Sequence, residues 1–371
     1  MEPIKLTIHD VSRGGSGVGK LESGEIVFVP FTAPGDELLV RILKKTKSYS
    51  QGELVEILKP SPVREKPLCK IFEKCGGCSW QHLPYSLQFE TKKKGVLHAL
   101  KRTGVAVDLA AVNLDEFPAA NPYHYRNRIQ LRGDPKTGDI GFFEKGSTQM
   151  VPLDRCEIAH ENINAALAGV KKKGSSLDRE FKVEIDMDAD GVVQTAWNQR
   201  HAALGFRQVN DEQNQVLQNW VSNHIENGTY LIDLFGGSGN LSLPLIERFQ
   251  EVHCVDAFVP VEKDGLPSNF HFHKTQVLKW LDMSRRKKWN GSASVILDPP
   301  REGLGHDFDT IESMLRSTFA PKQVLYIGCD VDSFAKDVHR FIQKGYQLKR
   351  LGVLDFFPQT PHVESLAILT I

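Results

Sequence analysis

Residues Leu231–Leu245, with the sequence LIDLFGGSGNLSLPL, decide the fold of the C-terminal part of the chain. An apolar strand with an acid near its end leads into a glycine-rich turn, and a helix is predicted to follow. Strand-like runs such as VHCVDAF, SVILDPP and QVLYIGC recur downstream, with helical segments between most of them. This alternation predicts a mostly parallel sheet covered on both faces, with the last two strands as a hairpin at its edge.

The glycine-rich turn predicts a nucleotide-binding site at the carboxyl ends of the strands. Gly236, Gly237 and Gly239 let the backbone approach a ligand closely, in a G-G-x-G-N pattern that differs from the G-x-G-x-x-G dinucleotide fingerprint. The next strand ends at Asp256, where an acidic side chain can hold ribose hydroxyls. Nicotinamide enzymes and S-adenosylmethionine (SAM) enzymes both bind adenosine in this way.

The segment SVILDPPREGLG, residues 294–305, favours SAM over a nicotinamide cofactor. SAM-dependent methyltransferases carry [D/N]PP at this sheet edge, and Asp298 begins that motif here. Enzymes that methylate exocyclic amines usually follow the motif with an aromatic residue. Arg301 occupies that position in this chain, and a cation suits a phosphate or a carboxylate. The methyl acceptor is therefore predicted to be a carbon atom rather than an amine.

The composition is that of a soluble globular protein, with 371 residues, 40% hydrophobic and 25% charged. The formal net charge of +0 gives no sign of a nucleic-acid partner. No apolar run approaches the roughly 20 residues of a membrane span, and the first residues show no signal-peptide pattern. We therefore expect a cytoplasmic monomer without a membrane partner.

The N-terminal part reads as a small all-β unit, with strand-like runs KLTIHDVS, EIVFVPF, ELLVRIL and QGELVEIL. Turn signals, among them RGGSGVG and APGDE, lie between them, and four or five strands at this spacing suit a small closed barrel. A proline-rich linker follows. Residues 123–200 alternate short strand-like runs with turns, which predicts an antiparallel sheet.

A cysteine-rich segment, CKIFEKCGGCSWQH, lies between the barrel and that sheet. Cys69, Cys75 and Cys78 follow a C-x5-C-x2-C spacing, and Cys156 is the candidate for a fourth partner. Four thiolates fit a structural zinc ion or an iron–sulfur cluster. A zinc site more often pairs two C-x2-C knuckles, so the single knuckle with two outlying cysteines favours a cluster.

Cys329 ends the strand-like run LYIGC, at the same sheet edge as Asp298. Taken alone, this cysteine is a small core residue, a metal ligand or a nucleophile. Cys254 is the rival nucleophile, but its apolar neighbours indicate a core position. Glu364 lies in FPQTPHVESLAIL, where the prolines predict a stiff loop that enters the last strand.

Together these motifs resemble the bacterial RNA (uracil-5-)methyltransferases of the 23S rRNA type, over nearly the full length of the chain. FRQVN is similar to the family's F-x-Q-x-N, and DLFGGSGN to D-L-[FY]-C-G-x-G-[NT]. DPPREGL and FPQTPHVE match the family closely. The resemblance implies that the pocket for SAM and the target base contains six residues: Gln208, Phe235, Gly237, Asn240, Asp256 and Asp298.

The resemblance also implies an N-terminal RNA-binding TRAM domain and a [4Fe–4S] cluster held by the four cysteines. It makes Cys329 the nucleophile that adds to C6 of a uridine, so that C5 can accept the methyl group of SAM. It makes Glu364 the base that then removes the C5 proton. The expected partner is rRNA; alternatives are the same reaction on tRNA and a non-catalytic RNA-binding relative.

Three departures from the family pattern bear on these roles. The family usually reads S-C-N-P around the nucleophile, whereas this chain reads GCDV, and Asp330 and Asp332 are expected to raise the pKa of the thiol. Asp256 replaces the usual glutamate. HFHKTQ lacks the acid that the family offers to the adenine, so residues 258–290 are expected to hold the cofactor differently.

The predicted fold is therefore multidomain α/β. Residues 1–60 are predicted to form a TRAM/OB-like β-barrel, and residues 61–200 a central α+β domain with the iron–sulfur cluster. Residues 201–371 are predicted to form a Rossmann-like SAM-dependent methyltransferase domain.

Overall fold

A computed structural model describes residues 2–104, 108–109, 111–199, 207–257 and 265–371. Within these residues the chain forms eighteen strands, which are in chain order β1 Ile4–Val11, β2 Ser16–Lys20, β3 Ile26–Pro30, β4 Glu37–Lys45, β5 Tyr49–Lys59, β6 Asn113–Phe117, β7 Arg128–Asp134, β8 Asp139–Phe143, β9 Met150–Pro152, β10 Phe181–Met187, β11 Val193–Trp197, β12 Gly228–Leu234, β13 Phe249–Asp256, β14 Phe270–Lys274, β15 Ala293–Leu297, β16 Gln323–Gly328, β17 Gln347–Leu354 and β18 Glu364–Thr370. The six α-helices of the same residues are α1 Tyr85–Arg102, α2 Glu161–Gly174, α3 Asp211–His224, α4 Val277–Ser284, α5 Phe308–Phe319 and α6 Val331–Gln343.

The chain divides into two compact units, which we describe separately. The first comprises Met1–Gly95, Ala120–Leu204 and Phe357–Pro361, and the second comprises Val96–Ala119, Gly205–Phe356 and His362–Ile371. The predicted division into three domains stays a prediction, and its boundary at residue 200 lies outside the described residues. None of the helices in the described part of the chain has the length and apolarity needed to span a membrane.

The first unit begins with a closed five-stranded barrel in the order β1-β2-β3-β5-β4, so the predicted β-barrel is confirmed. Alternate residues of the strands point inward, and the core contains Leu6, Ile8, Val27, Val29, Leu38 and Val40. The prediction of a turn at RGGSGVG is wrong in part, because β2 runs through it. Gly19 fits there because a Cβ atom at this position would lie 2.6 Å from the Leu6 side chain.

An antiparallel five-stranded sheet in the order β11-β10-β7-β8-β9 follows the barrel in the same unit, with α2 packed on it. This is the antiparallel arrangement that the alternating runs of residues 123–200 predict. Its core includes Ile129, Leu131, Val183 and Ile185 from the two central strands. Cys156, one of the predicted metal ligands, also belongs to this core.

The second unit is built on an eight-stranded sheet in the order β14-β13-β12-β15-β16-β18-β17-β6. The strands from β14 to β16 are parallel, and β18 runs antiparallel between β16 and β17. The mostly parallel Rossmann-like sheet is confirmed. The last two strands do not form the sheet edge as predicted, because β6 pairs with β17 outside them.

The connection from β12 to β13 differs from the predicted helix. It contains a 3-10 helix, Leu243–Arg248, rather than an α-helix. The glycine-rich turn occupies the first part of this short connection, and Pro244 near the start of the helix has no N–H to donate. The remaining residues are too few for the longer helix that usually covers a parallel crossover.

Asp36 is the buried charged residue that ties the barrel to the chain leaving it. Its carboxylate accepts hydrogen bonds from Arg64 Nε at 2.8 Å, the Ala33 amide at 2.6 Å and the Ser61 amide at 2.9 Å. Burial opposes ionisation, but these hydrogen bonds outweigh it and hold the pKa of Asp36 below its usual value.

Asp36→Ala is expected to lower the free energy of unfolding by about 3 kcal/mol at pH 7, because it leaves Arg64 buried without its partner. Because its pKa is lower in the folded protein, Asp36 stabilises the fold at pH values above its usual pKa of about 4. This stabilisation is lost as the pH falls through the pKa of the folded state. The difference between the variant and the parent should therefore shrink below pH 4. Urea titrations at pH 7 and pH 3 measure both effects. Glu37→Ala, on an exposed ion pair, is the control, expected to cost about 0.5 kcal/mol or less. An equal loss in the two variants would contradict this account.

Candidate active site and cysteine site

The glycine-rich turn after β12 has an unusual backbone conformation. Phe235, Gly237 and Gly239 have φ values of 62°, 56° and 85°, the left-handed region in which glycine is unstrained and other residues are rare. Gly236 is needed for space, because a Cβ atom there would lie 2.5 Å from Asp233 Oδ2. The turn therefore packs directly onto the end of β12.

Asp233 lies beneath this turn, fully buried, and sequence reasoning did not assign it to the site. Burial raises the pKa of Asp233 to about 6, although hydrogen bonds from Ser242 and Cys254 lower it. The Ser242 hydroxyl donates to Asp233 Oδ2 at 2.5 Å. Cys254 is itself buried and its thiol pKa is raised, so it is a core residue as predicted. The acid inside the apolar run LIDLF was the available signal for Asp233.

A cleft of about 440 Å³ opens at the carboxyl ends of β12, β13 and β15, within the size range of small-molecule sites. Three of the predicted cofactor residues line it, namely Phe235, Asp256 and Asp298. Gly237 joins them through its amide, which donates to Asp256 Oδ2 at 3.2 Å. The lining also includes Gln276, Val277 and Leu278 at the start of α4, within the segment 258–290 that is expected to hold the cofactor differently.

The structure does not bring the other two predicted pocket residues to this cleft, as far as the described residues define it. Asn240 is turned toward α3, where its side chain exchanges hydrogen bonds with Asn214 at 2.8 Å and 3.0 Å. Gln208 lies two residues before Asn210, the N-cap of α3. Phe206 of the same motif and residues 258–264 lie outside the described residues.

Cys329 and Glu364 occupy neighbouring strands at one end of the sheet. Gly328, the last residue of β16, pairs with Ser365 of β18, so Cys329 and Glu364 are the next pair of positions along the ladder. Side chains of such cross-strand pairs lie about 5 Å apart. Asp298 follows β15 on the other side of β16, so the thiol has a carboxyl group on each neighbouring strand.

The charges of these groups shift one another's pKa values. Burial raises the pKa of the Cys329 thiol to about 11, and the charges of Glu364 and Asp298 add to the increase. Burial and the charge of Asp298 also raise the pKa of Glu364 well above its usual value. Burial and Asp233 raise the pKa of Asp298 to about 7. Arg301 counteracts this, because its positive charge lowers the pKa of both Cys329 and Glu364.

The loop that carries Arg301 is fixed by a buried network that the sequence did not reveal. Tyr326 donates to Asp337 Oδ2 at 2.6 Å, and the amide of Leu304 donates to the same oxygen at 2.7 Å. Ser333 Oγ donates to the carbonyl oxygen of Arg301 at 2.7 Å. These bonds hold the DPPREGL loop against β16 and α6.

The acids after Cys329 have structural partners. Asp330 is the N-cap of α6, and its carboxylate accepts hydrogen bonds from the amides of Asp332 and Ser333 at 3.1 Å and 2.9 Å. Asp332 pairs with Arg102 at 2.6 Å. The pKa of the Cys329 thiol is raised, the direction that the sequence predicts. The acids with the largest effect are nevertheless Glu364 and Asp298.

The second site lies in the other unit, where four free cysteines line one cavity: Cys69, Cys75, Cys78 and Cys156. Apolar side chains, among them Ile71, Phe142 and Leu153, form much of the rest of the lining. Burial raises the pKa of Cys75 to about 11 and that of Cys78 to about 12, and the neighbouring cysteines add to both increases. Four thiols in such a cavity ionise together only if they share a cation.

Backbone and amide contacts hold these cysteines in place. Gln81 Oε1 accepts a hydrogen bond from the Cys69 amide at 3.0 Å, and Asn164 accepts from the Cys156 amide at 2.9 Å. The Gly77 amide donates to Cys75 Sγ at 3.4 Å. Buried polar groups of this kind commonly orient metal ligands. The donor set therefore fits a group that four cysteine thiolates bind.

Comparison with known proteins now places the chain in a family. Residues 2–55 match the TRAM domain, and residues 272–371 match tRNA (Uracil-5-)-methyltransferase. An uncharacterised RNA methyltransferase from Bdellovibrio bacteriovorus is 31% identical, over 99% of this chain and 95% of its own length. The chain belongs to the RNA (uracil-5-)methyltransferase family.

A related enzyme and a solved structure are also similar to this chain. The 23S rRNA (uracil(1939)-C(5))-methyltransferase of Shewanella amazonensis is 28% identical, over 99% of this chain and 95% of its own length. The crystal structure of the Pyrococcus abyssi tRNA (uracil-54, C5)-methyltransferase with S-adenosyl-L-homocysteine superposes with a TM-score of 0.71 at 22% identity. It covers 98% of this chain and 99% of that one, which shows a shared fold. Membership of the family confirms the prediction of a SAM-dependent RNA (uracil-5-)methyltransferase.

In the protein without ligands, the Cys329 thiol is expected to react slowly with iodoacetamide at pH 7. The rate should rise about tenfold per pH unit toward the thiol pKa of about 11, because only the thiolate reacts. Arg301→Gln should slow the reaction at pH 8, whereas Arg301→Lys, which keeps the charge, should not. Peptide-resolved mass spectrometry separates Cys329 from the other cysteines, and Cys329→Ser identifies its peptide. A rate that no longer rises above pH 8 would show that the thiol is more acidic than its surroundings imply.

Proposed function

We propose that this protein methylates C5 of a uridine in 23S rRNA, with Cys329 as the nucleophile and Glu364 as the base. One observation carries the proposal. Asp298 lines the cofactor cleft, and its charge also raises the pKa of both Cys329 and Glu364. The cleft and the thiol–carboxylate pair therefore adjoin at the same end of one sheet. Methyl transfer to carbon requires the methyl donor and these two groups to be close together.

The cleft supports SAM as the methyl donor. We assign to Asp256 the hydrogen bonds with the ribose hydroxyls, because it lines the cleft with Phe235 and the start of α4 and accepts from the Gly237 amide. Gln208 and Asn240 remain proposed members of the wider pocket, by resemblance to the family. When bound, SAM supplies a methyl group on a positively charged sulfur, and the acids at this edge favour that charge.

The protein's own residues account for the remaining chemistry. The Cys329 thiolate bonds to C6 of the uracil, which makes C5 nucleophilic toward the methyl donor. Once the methyl group is on C5, the Glu364 carboxylate removes the C5 proton. The electron pair of that C–H bond re-forms the C5–C6 double bond, and the C6–S bond breaks to release Cys329. The raised pKa of Glu364 makes its carboxylate, once ionised, a stronger base than an exposed glutamate.

We assign RNA recognition to the TRAM barrel and to the part of the first unit that carries the four cysteines. A target base has to leave its stack to reach a thiol at a sheet edge. The net charge of +0 limits non-specific attraction to phosphate, so we assign to Arg301 a local contact with a phosphate of the target strand. The relationship to the Shewanella enzyme over nearly the full length of both chains favours 23S rRNA. tRNA is the alternative target, since the P. abyssi enzyme of the same fold acts on tRNA.

RNA that contains 5-fluorouridine tests both the nucleophile and the target. Fluorine replaces the C5 hydrogen that the base would remove, so the thiolate cannot be eliminated. The parent protein with SAM should therefore form a denaturation-resistant complex with 23S rRNA and not with tRNA. Cys329→Ala should abolish the complex, and Cys254→Ala should retain it. Gel electrophoresis after denaturation detects the complex. An adduct with tRNA alone would overturn the rRNA assignment, and an adduct in Cys329→Ala would overturn the nucleophile.

Glu364→Gln tests the base with ordinary RNA. The variant should slow turnover by about 100-fold or more, because it removes general-base catalysis. It should also accumulate the Cys329–RNA adduct, since methylated uracil cannot eliminate the thiolate without losing its proton. Slow turnover without any adduct would place Glu364 in an earlier step.

We further propose that Cys69, Cys75, Cys78 and Cys156 hold a [4Fe–4S] cluster. The shared apolar cavity, and the single C-x2-C knuckle with two outlying cysteines, support a cluster over a single zinc ion. Protein purified without oxygen should be brown and contain about four iron and four sulfide per chain. Cys156→Ser should lose iron and stability, whereas Cys254→Ser should keep the iron. Colourless protein with one zinc would refute the cluster.

A further inference from the structure

A second group of metal-binding side chains lies on the strands β13 and β14 of the second unit. Glu251 and His253 are on β13, and His271 and His273 are on β14, where His253 pairs with His271 in the strand register. Side chains alternate along a strand, so Glu251 and His253 share the face opposite to Cys254. The family resemblance assigns no role to these residues, and the methyl-transfer proposal does not use them.

The donor atoms of three of these residues converge. His253 Nε2 lies 3.0 Å from Glu251 Oε2, and His271 Nε2 lies 3.9 Å from the same oxygen. All three donor atoms fall within 4.8 Å of one another. Zinc binds imidazole nitrogen and carboxylate oxygen at about 2.0–2.2 Å, so ligand atoms around one ion are roughly 3.0–3.6 Å apart. The separations of 3.0 Å and 3.9 Å are close to this spacing, and the Glu251 and His271 side chains are half exposed.

His273 determines which nitrogen of His253 is available. His253 Nδ1 lies 3.0 Å from His273 Nε2, and the two rings are nearly parallel at 11°. If His253 Nδ1 carries the proton and donates to His273, its Nε2 lone pair points at Glu251 and His271. In the other tautomer, Nε2–H donates to Glu251. A cation between Nε2 and the carboxylate selects the first tautomer, and an outer hydrogen bond of this type is what metal-bound histidines usually have.

The cluster of Glu251, His253 and His271 is buried on one side and exposed to solvent on the other. His253 is 6% exposed and packs against Trp280 and Trp289, with ring centroids 5.8 Å and 5.0 Å away. The Glu251 and His271 side chains are 46% and 41% exposed. One side of the cluster is therefore closed by aromatic rings, and the other is open to solvent. An ion can enter from the open side and complete its coordination with water.

We propose that Glu251, His253 and His271 bind a divalent transition-metal cation such as Zn²⁺, with His273 as a positioning residue. Imidazole with one carboxylate is a donor set that suits zinc and its neighbours in the first transition row rather than magnesium or calcium. The ion ties the edge strand β14 to β13. Since β13 ends at Asp256, the ion stiffens the strand that carries this cofactor-cleft residue.

The test compares the parent protein with His271→Ala, His273→Ala and the control His9→Ala, an exposed histidine on the barrel strand β1. All are purified anaerobically, so that the four cysteines keep their own ligand. Zn²⁺ is titrated against a chromogenic chelator. The parent and His9→Ala should bind one more equivalent than His271→Ala, and His273→Ala should bind that equivalent about 10- to 100-fold more weakly.

Two further readouts exclude binding elsewhere. Zn²⁺ should raise the thermal unfolding midpoint of the parent and of His9→Ala but not of His271→Ala. Co²⁺ should give visible absorption without the strong near-ultraviolet band of thiolate ligation. Equal zinc binding by the parent and His271→Ala would overturn the site, and so would a thiolate band for the titrated ion. An unchanged affinity in His273→Ala would overturn the positioning role.

Discussion

The antiparallel pairing of β18 with β16 is the constraint on which the candidate active site depends. It inserts the last strand of the chain between β16 and β17 and aligns Gly328 with Ser365. Glu364 thereby begins β18 at the end of the sheet where Cys329 leaves β16. A shift of one residue would turn Glu364 to the opposite face. The buried hydrophobic residues of β18, from Leu366 to Leu369, fix the register and so fix the distance between thiol and carboxylate.

The same arrangement sets the charge balance. Asp233, Asp298 and Glu364 lie at the same end of the sheet, and burial raises the pKa of each. Burial and mutual repulsion make it unfavourable for all three carboxyl groups to be ionised together. A cationic methyl donor would relieve that repulsion, and Arg301 relieves part of it. A positively charged cofactor at this site would therefore also favour the ionisation of Cys329.

Much of the fold could be predicted from sequence because its signals are local. The buried strands, the glycine-rich turn and the DPP turn are each written in a few adjacent residues. The insertion of β18, the edge position of β6 and the Tyr326–Asp337 bond depend on contacts between distant segments, which one sequence does not specify. The 3-10 helix after β12 was missed because its length is set by the space left between two strands. The roles of Cys329 and Glu364 came from the family resemblance, and the structure adds their adjacency.

The GCDV segment, which departs from the family's S-C-N-P, can be understood from the local packing. Asp330 caps α6 through its carboxylate, and asparagine and aspartate are nearly equal as N-caps. Val331 begins the helix at the position where proline is favoured because its missing N–H costs nothing there. Gly328 leaves room for Phe334, which lies 3.0 Å from the place of a Cβ atom. A serine at 328 would therefore require Phe334 to move. Each difference preserves the turn that presents the thiol, and the added charge of Asp330 is directed to helix amides.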